Sequence, residues 1–195
     1  MKKVNNKGMT LVELILVVAI TVIVIGALVL FMTTSTRSYH TAESEISLQT
    51  EAQVIMNQIS DTVIQGNNVL YNSTLHTLTI FHMDEVDLNF DTIDVIWFRE
   101  EDHKLYLYHI TSETEMNMVS SRINNNVVSK ENLLGEYVTE FIVDTGIETS
   151  PNQFIYDISG KTSTTLSVKL TLDYMGKTYS MKEDMKLRNK IVNIP

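Results

Sequence analysis

Residues 7–32 read KGMTLVELILVVAITVIVIGALVLFM, and the architecture of the chain hangs on this stretch. From Leu14 to Met32 there are nineteen positions without a charge. At about 1.5 Å of rise per residue, a helix over that run is about 29 Å long, close to the roughly 30 Å hydrocarbon core of a bilayer. Lys2, Lys3 and Lys7 precede it, and the next basic residue is Arg37. That asymmetry predicts an N-terminus in the cytoplasm and the rest of the chain outside. A secretory signal peptide has a shorter apolar region, roughly 7–15 residues, ended by small residues. Here the run is longer, and Met32-Thr33-Thr34-Ser35 is a poor cleavage pattern of that kind. Length alone does not separate the stretch from a plain signal anchor. Glu13 does. An acid within an apolar span costs about 2.5–3.5 kcal/mol near the bilayer centre and less near its edge, so it needs a partner. None of the neighbouring side chains is a cation, but a free α-amino group would serve if the chain were cut just ahead of the span.

Lys7-Gly8-Met9-Thr10-Leu11-Val12-Glu13-Leu14 resembles the processing motif of type IV prepilins and type II secretion pseudopilins. The pattern is a basic residue, a glycine, an apolar residue, and a glutamate at mature position five. The resemblance implies that a prepilin peptidase cuts after Gly8 and methylates the new amine on Met9. It also implies that Glu13 neutralises the amine of a neighbouring subunit as the filament assembles. Met9 stands where phenylalanine is commoner, an apolar exchange.

Beyond the span, Leu48, Ala52, Ile55, Ile59 and Val63 recur at the one-faced period of an amphipathic helix. Gly66-Asn67-Asn68 reads as its stop. One continuous helix over about residues 10–65 is therefore expected. After Asn68 the period becomes two, with candidate strands at 69–72, 75–82, 93–99, 103–110, 137–144, 152–158, 164–174 and 178–188. The clearest sets Leu166, Val168, Leu170, Leu172 and Tyr174 on one face. Met175-Gly176-Lys177 reads as a hairpin turn and residues 100–103 as a second tight turn. Glu183 falls on the inward face of the last strand, which predicts a bulge or a sheet end there. Residues 111–132, rich in Ser, Asn, Glu and Met, read as a long surface excursion.

The fold class expected is α+β. Its divisions are a leader at 1–8, a transmembrane half-helix at 9–32, an amphipathic half at 33–66 and an antiparallel β ectodomain at 67–195. This agrees with what the prepilin resemblance implies, a long N-terminal helix whose second half packs on an antiparallel sheet. Residues 93–99, IDVIWFR, a short acidic turn and residues 104–108, KLYLY, are similar to a hairpin of J-class pseudopilins and W-class minor pilins. Segment 133–143 with its long closing hairpin is similar to the same subtype.

The net charge of −9, from 24 acidic and 15 basic side chains, argues against a partner held through nucleic-acid phosphates. The absence of cysteine excludes disulfides, thiolate metal sites and a cysteine nucleophile. Asp87-x-Asn89-x-Asp91 opens like a calcium loop, but Thr92 and Phe98 stand where an EF-hand needs glycine and glutamate. A solvated acidic loop between two strands, over residues 84–94, is the preferred reading, with a calcium loop of another kind as the alternative. His40, His76, His82, His103 and His109 are scattered without zinc-ligand spacing. Trp97, Tyr106 and Tyr108 read as core and sheet residues. There is no G-x-S-x-G and no phosphate loop, so neither catalytic residues nor a cofactor is expected. The chain would be a substrate of the peptidase and a structural subunit, a minor pilin or pseudopilin. Its implied partners are other pilin subunits, the prepilin peptidase, an assembly-platform membrane protein and membrane lipid. A major pilin subunit, or a membrane-anchored binding domain that never assembles, are the alternatives.

Overall fold

The computed structural model describes residues 10–83, 90–128, 132–146, 163 and 165–187. The chain divides into two compact units, residues 1–43 and 44–195. Helix α1, Leu11–Gln65, supplies residues to both.

The second unit is α+β. In chain order it contains the last part of α1, then β1 (Asn68–Asn72), β2 (Thr77–Met83), β3 (Phe90–Arg99), β4 (Lys104–Ile110) and α2 (Glu113–Asn124). Then come β5 (Leu133–Gly135), β6 (Val138–Asp144), β7 (Thr165–Tyr174) and β8 (Lys177–Lys186). The strands form a five-stranded antiparallel sheet in the order β1-β2-β3-β4-β5 and a three-stranded one in the order β6-β7-β8. The expected sheet is thus divided in two. The pieces meet where Val69 and Ser163 exchange backbone hydrogen bonds and where the Tyr71 hydroxyl donates to the Phe141 carbonyl.

Leu48, Ala52, Ile55, Ile59 and Val63 are all buried, together with Met56. They share one apolar core with Leu78, Ile80, Ile96 and Leu105 of the larger sheet and with Phe141, Val168 and Leu170 of the smaller one. Burying one such aliphatic side chain is worth about 1.5–3 kcal/mol, so the stripe alone explains why this part of α1 stays on the sheets. The helix ends at Gln65 as expected, but Gly66 is not in the left-handed conformation of a typical helix stop. Its value is space: a Cβ there would lie 2.5 Å from Ile80 Cγ2.

The excursion expected over residues 111–132 is instead largely α2. Its Val119 and Ile123 close a second core with Val95, Trp97, Tyr106 and Tyr108, on the other face of the larger sheet. Ser112 caps the helix, accepting from the Glu115 amide, while the Glu115 carboxylate accepts from the Thr111 amide and hydroxyl. Because both faces of the sheet are covered, residues 93–98 of β3 are all buried.

The closing hairpin is regular. Leu166, Val168, Leu170 and Leu172 are buried, and β7 pairs with β8 from Thr165↔Lys186 to Tyr174↔Lys177. The turn residues Met175 and Gly176 have φ of 52° and 74°, as a type I′ turn requires. No bulge occurs at Glu183, which pairs in register with Val168. It is tolerated because β8 is an edge strand and the inward face there is only half-buried. The expected strand at 152–158 lies outside the described residues.

Candidate assembly site at the start of the N-terminal helix

Thr10 and Glu13 form a reciprocal cap on the first turn of α1. The Glu13 carboxylate accepts from the Thr10 amide at 2.8 Å and from its hydroxyl at 2.9 Å, while the Glu13 amide donates to Thr10 Oγ1 at 3.3 Å. This is the T-x-x-E arrangement that satisfies donors a helix start otherwise leaves orphaned. The carboxylate also sits at the positive end of the helix dipole, where an anion is favoured. Thr10 was not singled out from the sequence, although the T-x-x-E spacing was there to be read. The Gly8–Met9 junction lies outside the described residues, so the structure places only Glu13 of the expected site.

Past this turn the helix surface is apolar on every side. Leu14, Ile20, Ile25 and Phe31 are all more than half exposed, and none of the most apolar window is buried. The hydroxyl of Thr21 donates to the Val17 carbonyl, so this polar side chain does not need water. A helix of this length and hydropathy suffices to cross a bilayer.

The family model for the prokaryotic N-terminal methylation motif matches residues 3–29. The chain carries a prepilin-type signal. The match supports the type IV pilin and pseudopilin family, and the long apolar helix followed by antiparallel sheets is consistent with the pilin fold. No curated protein and no solved structure gives a significant match.

The other candidates of this prepilin-like chain fall elsewhere. Residues 84–89 of the acidic segment lie outside the described residues, whereas residues 90–94 belong to β3 and not to a loop. Asp94 is buried and joins two of the histidines that the sequence left scattered: Oδ2 meets His82 Nε2 at 2.8 Å, and Oδ1 meets His109 Nδ1 at 2.6 Å. Only the pairing of β3 with both β2 and β4 brings them together. Among the described residues, no group of three or more His, Asp or Glu side chains is disposed to hold a metal ion.

Trp97 and Tyr106 are core residues beneath α2, with ring centroids 5.8 Å apart. The Tyr106 hydroxyl donates to Asp102 at 2.6 Å, and Asp102 also holds Arg99 at 3.0 Å. Burial, then the bond to the Asp102 carboxylate, pushes the Tyr106 phenol up to about 12. An open groove of about 600 Å³ runs between the two sheets, lined by Tyr71, His76, Phe98, Glu100 and Phe141 among others.

Proposed function

We propose that this chain is the precursor of a filament subunit, cut after Gly8 by a prepilin peptidase and methylated on Met9. The mature protein would then sit in the cytoplasmic membrane, N-terminus inside, until it joins a type IV pilus-like or type II secretion filament. The single observation carrying this reading is the methylation motif over residues 3–29, which runs directly into an exposed apolar helix. Such a surface needs lipid before assembly, and other apolar helices after it.

Glu13 is the assembly contact in this reading. Its carboxylate lies at the first helical turn, one turn past Met9, where a neighbouring subunit's new amine would come alongside. An ion pair there, shielded from water, would set axial register, and truncating one member of a buried pair typically costs about 3–5 kcal/mol. The J-class or W-class minor subunit is the preferred subtype, supported by the β3–β4 hairpin with its Lys104-Leu105-Tyr106 opening. The subunit is structural and catalyses nothing itself.

Intact mass of the protein from cells with an active peptidase tests the reading. A species beginning at Met9 and carrying one methyl group is expected. Recovery of a chain still beginning at Met1 would return the segment to a plain signal anchor.

A further inference from the structure

The C-terminal turn of α1 contains no basic residue, although a helix end presents unsatisfied carbonyls and a partial negative charge. The missing cation comes from β2. His82 Nδ1 lies 3.3 Å from the carbonyl oxygen of Gln65, the last residue of α1, while Nε2 lies 2.8 Å from Asp94 Oδ2 on β3. Both partners are acceptors without a hydrogen to give. A neutral imidazole has one donor and one acceptor nitrogen, so either neutral tautomer would set a lone pair against one of these oxygens. Only the imidazolium makes both bonds. The side chains of His82 and Asp94 are 18% and 11% exposed, so water does not freely replace their contact, whereas the longer contact to the Gln65 carbonyl is open to solvent.

We propose that His82 is a pH-released clasp that, as an imidazolium, fastens the C-terminal end of α1 to the larger sheet through Asp94. Loss of its proton as pH rises removes one of the two bonds and loosens the last turn of α1, whose buried stripe stays on the sheets. The polar and titratable groups around it come from two other strands and two helices. They are the Gln65 carbonyl end of α1, Asp94 of β3, and His109 of β4 on the far oxygen of Asp94. Glu115 of α2 acts beyond His109.

The bond to Asp94 raises the His82 ring above its ordinary value; burial opposes this, and the charge of Asp94 and the Gln65 carbonyl add to it. Burial would raise Asp94, but the bonds from His82 and His109 outweigh it and hold the carboxyl low. A raised histidine contributes in full below the unfolded value of about 6.5, and that contribution is lost as pH rises through the folded value. A depressed carboxyl contributes above its unfolded value, and that is lost as pH falls through its folded value. The clasp is therefore closed between the two and opens through His82 as pH rises.

The test is a ring-nitrogen NMR titration of the full chain in detergent micelles, with isotope-labelled histidine and His82 assigned through His82→Gln. Two protonated ring nitrogens near neutral pH and a midpoint above about 6.5 are expected. Asp94→Asn should lower that midpoint. Amide exchange at Gly66 and Asn67, corrected for intrinsic rate, should accelerate roughly tenfold as His82 loses its proton, the worth of one hydrogen bond from a charged group. A ring with a single N–H near neutral pH overturns the clasp, and the wild-type protein alone decides this if Asp94→Asn misfolds. So does a midpoint unmoved by Asp94→Asn, or exchange at residues 66–67 that ignores the titration.

Discussion

Gly135 sits against Ile55 so closely that a Cβ on the glycine would fall 2.2 Å from Ile55 Cδ1 and 2.5 Å from Cγ1. The backbone of the short strand β5 at Gly135 thus rests directly on the Ile55 side chain of α1. Ile55 is fully buried and has nowhere to swing. Gly135→Ala should destabilise the folded unit by about 1–3 kcal/mol, the usual cost of overpacking. Combining it with Ile55→Ala should cost less than the sum of the two single changes, because the second removes the atoms the first would strike. Thermal or denaturant unfolding of the four proteins measures this coupling. Strict additivity would mean that the Gly135 backbone does not press on the Ile55 side chain.

Glu13 has two jobs to separate, capping its own helix and meeting another subunit. Glutamine completes a T-x-x-Q cap as well as glutamate does, but carries no charge. Glu13→Gln should therefore keep the first turn of α1 intact, whereas Glu13→Ala should lose the reciprocal cap. Both should insert and be cleaved, and both should enter filaments poorly. Quantifying each variant in sheared filaments against the membrane fraction checks this. Rescue of assembly by glutamine alone would assign Glu13 to helix capping.

Tyr106 should be a late-titrating phenol. With a folded value near 12, raised from 10.0, its contribution to stability is whole below about pH 10 and declines as pH climbs toward 12. Ultraviolet difference spectra should show one tyrosine ionising together with alkaline unfolding. Tyr106→Phe should flatten that part of the stability profile. A Tyr106 that ionises with the exposed tyrosines before unfolding would contradict the buried bond to Asp102.

Removing the first thirty or so residues should leave a soluble domain, since the buried stripe of α1 begins only at Leu48. Its melting temperature should not respond to EDTA, because the Asp87-x-Asn89-x-Asp91 segment lacks the glycine and the distal glutamate of an EF-hand. A rise of several degrees with millimolar calcium would establish a cation site, since a ligand that binds only the folded state stabilises it by mass action.

The helix and the last hairpin were legible because their signals are local and repetitive. Leu48 to Val63 keeps one helical face, and Leu166 to Leu172 keeps one strand face. The α2 segment was harder, since only Val119 and Ile123 are buried in it and its polar residues resemble a loop. Two signals pointed to it nonetheless: the Ser112-x-x-Glu115 cap, and the unbroken apolar character of much of β3. A strand buried on both faces needs a cover on both, and α1 supplies only one. The His82–Asp94–His109 contacts were not legible at all, because they depend on the register of three strands and not on spacing within one. Gly66 was read as a conformational stop, whereas the constraint is the methyl group of Ile80 across the core.

The Met175–Gly176 turn has a practical consequence. Met175 is 76% exposed, and nothing lies within 4 Å of a Cβ built on Gly176. The turn joins two ten-residue strands whose pairing is continuous up to its edge. A polar epitope spliced between these two residues would disturb no packing, and lengthening a flexible loop costs only about 0.6 kcal/mol per doubling. The hairpin thus offers a built-in handle for counting subunits: immunogold density along a tagged filament would distinguish a shaft component from one confined to its end.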